Sequence, residues 1–256
     1  MPVILGGNTG IYLASLAPAF DPDAQAFITA ASITDPTQQA AINTLVVDLK
    51  GYSIWTKMKA LYPFVGGTST STSYNLKNTA QFQISWIGGW TWNNNGVTGN
   101  GLNTKADTNL NGTVSLLQNN NSIGFYSRTN NTANAVDCGT NDYTITNFAG
   151  TLYYRLNSGS YVNVGTSRSD GFFTATRRAS NEQEIYRNGV SLNTNTNTSV
   201  VFNNLNIYFG DWNTGAPYPS NRNYAFAFIG DGLTDTEAAN FYTAVQAFQT
   251  ALSRNV

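Results

Sequence analysis

The spacing of apolar and polar positions divides the chain into three zones. In residues 21 to 62 the pattern is helical, with Ile42, Leu45, Val46 and Leu49 on one stripe. Asp21-Pro22 and Asp35-Pro36 each read as an N-cap followed by proline at the first helical position, and Asp35 with Gln38 also has the spacing of a capping box. The second helix should end near Gly51, and "SIWTKMKALY" predicts a short third helix stopped by Pro63. From residue 63 to residue 230 the period shortens to that of strands. The runs "QFQISWI", "SIGFYSR", "TLYYRL", "GFFTATR", "QEIYR", "LNIYFG" and "YAFAFIG" are separated by glycine- and asparagine-rich turns. Within "EIYRNGVSL", Asn188-Gly189 supplies the two positive-φ residues of a type I′ hairpin. No motif recurs at a fixed period, so these strands predict one antiparallel jelly-roll β-sandwich in a mainly β protein.

Residues 231 to 256 return to a helical period. Thr234 and Glu237 have capping-box spacing, and Ala238, Phe241, Tyr242, Val245, Phe248 and Leu252 form one amphipathic stripe. A helix this short needs a partner in water, so the stripe should pack on the sandwich or on the helices of residues 36 to 62.

Composition sharpens the picture. At 256 residues, 41% hydrophobic and 13% aromatic, the chain can bury a sizeable core. Only 11% of residues are charged, against about 25% in an average soluble domain. A net charge of -1 with no basic block longer than Arg177-Arg178 argues against nucleic acid as a partner and against an anionic membrane surface. The first twenty residues are apolar in patches but lack a preceding basic region and are broken by Gly6, Gly7, Asn8, Gly10 and Pro18. They read as neither signal peptide nor membrane span, but as an arm for anchoring or subunit contact. The lone Cys138 has no disulfide partner and no metal-ligand spacing.

The segments "YRNGVSL", "LNIYFG" and "YAFAFIGDGLTDTEAANFYTAVQAF" resemble the concanavalin A/laminin G type of jelly-roll domain. With "AAINTLVVDLKGYSIWTKMKALYPFVGG" ahead of the sandwich, the chain is similar to virion structural or fibre-type proteins of bacteriophages, over about residues 21 to 256. That resemblance implies a virion component, in a spike, fibre or tail, that presents a lectin-like sandwich for host attachment or particle decoration. Its expected partners are other virion proteins, reached through the arm of residues 1 to 20, sister copies in a homo-oligomer, and a host glycan. The alternative is a lectin or carbohydrate-active enzyme with no tie to a virion.

The chemistry available points to binding. The sequence has no histidine, which removes Ser-His-Asp and Cys-His systems and histidine-containing zinc sites. Glycoside hydrolysis needs two placed carboxylates. Glu182 and Glu184 would share a strand face but lack the intervening Asp of the jelly-roll glycosidase pattern, so they read as solvated strand residues and no catalytic residue is expected. Asp107, Asp137, Asp142, Asp170 and Asp211 lie in or near expected loops without a dense Asp-x-Asp cluster, so turn capping is the reading and neither metal nor cofactor is expected. The loop of residues 210 to 224, "GDWNTGAPYPSNRNY", carries the candidate glycan ligands Trp212, Asn213, Tyr218, Asn221 and Arg222. Its rings either stack on the C–H face of a sugar, with Asn and Arg bonding the hydroxyls, or cover the sandwich edge. In "WIGGWTWNNNG", strand alternation puts Trp86, Trp90 and Trp92 on one face, for packing between sheets.

Overall fold

Both N-terminal helices start at their Asp-Pro pairs. Helix α1 (Pro22–Ala30) is capped by Asp21, which accepts from the Asp23 N–H at 3.0 Å. Helix α2 (Pro36–Gly51) is capped by Asp35, which accepts from Thr37 N–H at 2.7 Å and Gln38 N–H at 3.1 Å. Each cap is worth about 1 kcal/mol. Gln38 does not close a capping box; its Oε1 accepts from the Gly66 N–H at 2.8 Å and ties α2 to the loop beyond the first strand. The structure, a computed structural model, describes residues 19–166, 168–213 and 217–256, so all but the last two residues of the expected arm lie outside the described residues.

The expected third helix is corrected. Only Trp55–Lys57 makes a 3₁₀ turn, and strand β1 (Met58–Tyr62) follows. Met58 and Leu61 enter the cluster under the helices, while Ala60 and Tyr62 enter the cluster between the sheets. A short run buried on both faces has no helical or strand period to read, and the sandwich therefore begins ahead of Pro63.

Fourteen further strands follow among the described residues. After the short helix α3 (Ser69–Ser73) come β2 (Ser85–Ile87), β3 (Thr91–Asn93), β4 (Gly96–Thr98) and β5 (Lys105–Asn111). Beyond the single turn α4 (Gly112–Ser115) lie β6 (Asn121–Ser127), β7 (Ala135–Thr140), β8 (Tyr143–Phe148), β9 (Thr151–Leu156) and β10 (Val162–Thr166). Then come β11 (Gly171–Ala179), β12 (Glu182–Arg187), β13 (Val190–Asn195), β14 (Asn206–Phe209), β15 (Asn223–Gly230) and helix α5 (Asp235–Ala251). The first sheet has the order β13-β12-β11-β6-β15-β4-β3, with β1 also on β15; the second has the order β10-β9-β8-β7-β14-β5-β2. Every pairing is antiparallel, and the two sheets form a jelly-roll type β-sandwich. Strand β15 pairs with β6 along one edge; on the other, Asn223 and Tyr224 meet β4 while Ala227 to Gly230 meet β1. The Asn188-Gly189 hairpin forms as expected, with φ of 52° and 72°.

Alternation along the strands separates two cores. Phe125, Phe173, Ile145, Tyr154, Phe209 and Tyr224 fill the space between the sheets. Tyr126, Phe172, Phe226 and Phe228 point the other way, under the helices. The stripe of α5 lands there: Phe241 lies 4.7 Å from Phe228 and 5.2 Å from Phe172, ring to ring, and Phe248 lies 6.4 Å from Phe226. Burying one such phenylalanine is worth about 1.5–3 kcal/mol. Thr234 and Glu237 form a full capping box, and the Glu237 carboxylate also pairs with Lys57 at 2.6 Å. The layers thus run helices, first sheet, second sheet, and none of α1, α2 or α5 packs on the outer face of the second sheet.

Candidate functional site

That uncovered face is built from residues that alternate away from the inter-sheet core. On β8, Tyr143 and Ile145 point inward, leaving Thr146 and Phe148 outside; on β9, Leu152 and Tyr154 point inward, leaving Tyr153 and Arg155 outside. Thr146 stands opposite Tyr153 in the ladder. Thr146, Phe148, Tyr153 and Tyr161, the residue just before β10, line a cleft of about 310 Å³. The rings of Tyr153 and Tyr161 meet edge to face at 6.3 Å.

The row of rings continues into the loop between β14 and β15. Phe148 meets Tyr218 at 4.9 Å and 89°, and Tyr218 meets Trp212 at 6.3 Å and 69°. The loop is closed at its base, where Gly210 N–H donates to Asp137 O and Ser220 N–H donates to Gly210 O, both at 2.8 Å. Inside it, Asp211 Oδ1 accepts from the Trp212 N–H at 2.9 Å and from the Tyr218 N–H at 3.1 Å, so one buried carboxylate positions both ring-bearing residues. Burial pushes this carboxyl up, against the pull of the two N–H bonds and of Lys105, whose Nζ lies 3.9 Å away. Tyr218 O in turn accepts from Val136 N–H of β7 at 2.9 Å, which fixes the loop on the sheet. Gly210 has φ of 74°, and a Cβ there would meet the Trp90 ring at 2.5 Å, so only glycine serves.

Electrostatically the face is muted. The Arg155 guanidinium lies 3.9 Å over the Tyr161 ring, its Nη2 donates to Asn141 Oδ1 and Tyr161 Oη at 3.2 Å each, and Nη1 lies 3.9 Å from Asp142 Oδ1. Burial raises the Tyr161 phenol above its ordinary value, against the Arg155 charge, so it is a neutral hydroxyl near pH 7.

The five candidates from the sequence divide. Trp212 and Tyr218 stand together in the ring row, with Tyr218 37% exposed. Asn213 Nδ2 donates to Asn206 O at 2.9 Å, and exposed Asn221 accepts from Asn131 Nδ2 at 3.0 Å. Arg222 is corrected: it is fully buried, with Nη1 3.0 Å from Asp137 Oδ1 and Nη2 donating to Ala133 O at 2.9 Å, and it reaches no ligand. Phe148, Tyr153 and Tyr161 were not among the sequence candidates; the signal was the outward parity of Tyr153 beside inward Tyr154 in "TLYYRL".

Other readings change as well. Glu182 and Glu184 do share a face, and Arg178 ties both: its Nε donates to Glu182 at 2.7 Å and Nη2 to Glu184 at 2.7 Å; Glu182 keeps 39% of its side chain in solvent, whereas Glu184 is buried at 4% and is no solvated residue. Asp137 is no loop residue; it sits in β7 and accepts from Arg222 and, at 2.6 Å, from Tyr224 Oη. The three tryptophans do not share a strand. Trp86 is on β2 of the second sheet and Trp92 on β3 of the first, yet they converge between the sheets, with Trp86 5.1 Å from Trp90 and 5.8 Å from Trp92. Among the described residues no group of three or more His, Cys, Asp or Glu stands ready to hold a metal.

No family model and no curated sequence matches this chain. Among solved structures, a mutant of Trypanosoma rangeli sialidase with trans-sialidase activity superposes with a TM-score of 0.58 at 10% identity, over 82% of this chain and 39% of that one. Botulinum neurotoxin type C, whose cell entry depends on two ganglioside molecules, superposes with a TM-score of 0.56 at 14% identity, over 76% of this chain and 52% of that one. At such identities the likeness is one of fold, the antiparallel β-sandwich, and this chain spans only about half of the neurotoxin structure's length and 39% of the sialidase's.

Proposed function

We propose that this protein binds carbohydrate without catalysis, holding a cell-surface glycan on the outer face of its second sheet, and that it does so as a structural component of a bacteriophage particle. The observation that carries the binding role is the three-ring cleft, continuous through Phe148 with Tyr218 and Trp212, on the sheet face that the long helices leave open. Ring faces take the C–H side of a sugar, and hydroxyl and amide groups at the rim, such as Tyr161 Oη and Asn141, orient it. Sandwiches of this fold occur in a sialidase and in a neurotoxin whose cell entry depends on gangliosides, which supports carbohydrate as the general class of ligand. The absence of histidine, and the ties of Glu182 and Glu184 to Arg178, support a role without catalysis. The virion setting rests on the sequence resemblance, with residues 1 to 20 as the anchoring and oligomerising arm.

The test is binding to an immobilised panel of cell-surface glycans by the parent, Tyr153→Ala and Tyr161→Ala. Each ring is expected to contribute about 0.5–1.5 kcal/mol, so each variant should lose up to roughly tenfold in affinity with an unchanged circular dichroism spectrum. Folded variants that bind like the parent would remove the face from the account. Cosedimentation with purified phage particles checks the setting, and release of reducing sugar would favour the enzyme alternative.

A further inference from the structure

We infer that the ring row holds an internal stretch of a linear, uncharged glycan about three units long, lying across the strands from Tyr161 to Trp212. The inference rests on the carbohydrate-binding role proposed above.

Three observations carry it. First, the rings come in strand order: Tyr161 at the head of β10, Tyr153 on β9, Phe148 on β8, and Tyr218 bonded through its carbonyl to β7. Neighbouring strands lie about 4.8 Å apart, and the register also sets Phe148 two residues along from Tyr153, so three steps span at least roughly 14 Å before Trp212 extends the row, room for about three sugar units and too long for one. Second, the rings are not coplanar. Three of the four successive pairs meet at 78°, 89° and 69°, and Tyr153 and Phe148, the fourth, face each other across the cleft that both line, so the rings form walls and not a flat shelf. A flat crystalline polysaccharide needs coplanar rings; a single soluble chain, which can turn between units, fits walls.

Third, the cations beside the row are already engaged. Arg155 keeps only 9% of its side chain exposed, its Nη2 is bonded to Asn141 and Tyr161, its Nη1 faces Asp142, and its remaining N–H, Nε, is buried. At the other end Lys105 faces the buried Asp211 carboxylate at 3.9 Å. Arg155 is thus committed within the protein and Lys105 is drawn toward the Asp211 carboxylate, which disfavours a carboxylated, sulfated or phosphorylated sugar, whereas Tyr and Asn groups at the rim bond hydroxyls.

The experiment is calorimetric titration of the full chain with defined-length neutral series of one to six units: maltose, cellobiose, xylobiose and mannobiose oligomers. For a series that binds, affinity should rise at least tenfold from one unit to three and flatten beyond about four. It should change less than twofold between low and high salt. Trp212→Ala and Tyr161→Ala should each weaken the trisaccharide more than the disaccharide, with melting temperature as the control for folding. A single sugar bound as tightly as the trimer, adsorption to crystalline cellulose in preference to soluble oligomers, or affinity that falls steeply with salt would overturn this inference while leaving carbohydrate binding standing. No binding to any series or to the glycan panel would overturn the reading beneath it.

Discussion

Arg222 shows how far a single residue's meaning depends on its distant partner. In the chain it follows Trp212 and Tyr218 in a polar loop and has the look of a ligand-binding cation. In the fold it neutralises Asp137, 85 residues away in sequence, whose carboxyl burial pushes up against the opposing pull of Arg222 and Tyr224. Removing one member of such a pair leaves a buried charge uncompensated. Arg222→Ala should therefore lose about 3–5 kcal/mol of stability in urea unfolding, while the molecules that remain folded keep the parent's glycan affinity. A loss of affinity at unchanged stability would return Arg222 to the binding site. Trp212 and Tyr218 were legible because large rings in a long polar loop need a reason to be there. Asp211 was legible as a turn-capping carboxylate, but its reach across the loop to the Tyr218 N–H, which lets it position both ring-bearing residues, was not.

Among the elements, the helices were the most legible because their signals are local. Asp-Pro pairs, the Thr234/Glu237 box and the Phe241, Val245, Phe248 stripe all act within a few residues of one another. Strand β1 was misread because nothing local distinguishes it; it is a strand because half of one edge of β15 stands open to it. The junction of α5 with the first sheet also sets an acid limit. Asp235 Oδ1 accepts from Arg178 Nη1 at 2.7 Å and from Tyr186 Oη at 2.8 Å, and these bonds hold its carboxyl below the usual range. A carboxylate depressed in the folded state adds stability above its unfolded pKa, and that stability is lost as pH falls through the folded value. Asp170, bonded to Arg168 and Arg187, is lowered in the same sense. Melting temperature should therefore fall below about pH 4, and Asp235→Asn should flatten that fall while lowering the plateau near neutral pH. An unchanged acid limb in the variant would show that Asp235 contributes nothing to it. Because Asp235 is largely exposed, the effect should be small.

Over the whole molecule the sandwich was legible from strand spacing, but the proposed binding face was not, because its rings are drawn from β8, β9, the start of β10 and one long loop that only the sheet order brings together. Covering one sheet with helices leaves the other as the open broad surface, and joining several copies of it would multiply a weak single-site affinity. The place of β15 has a further consequence, in time. It lies in the middle of the first sheet, touching β6, β4 and β1, yet it is the last strand in the chain. Until residues 223 to 230 have been synthesised, three strands keep unpaired edges, and β1 waits for a partner whose register joins Met58 to Gly230. Loop closure over such separations must precede any gain from pairing, so refolding followed by tryptophan fluorescence should fall in the millisecond-to-second range of β-sandwiches, on the order of 10³-fold slower than a helical bundle. A nascent chain in this state displays the templates on which aggregates grow. Its hazard lies in the interval before the sheet closes, and chaperone supply during synthesis, more than the strength of the finished core, will govern how much of the protein a cell recovers.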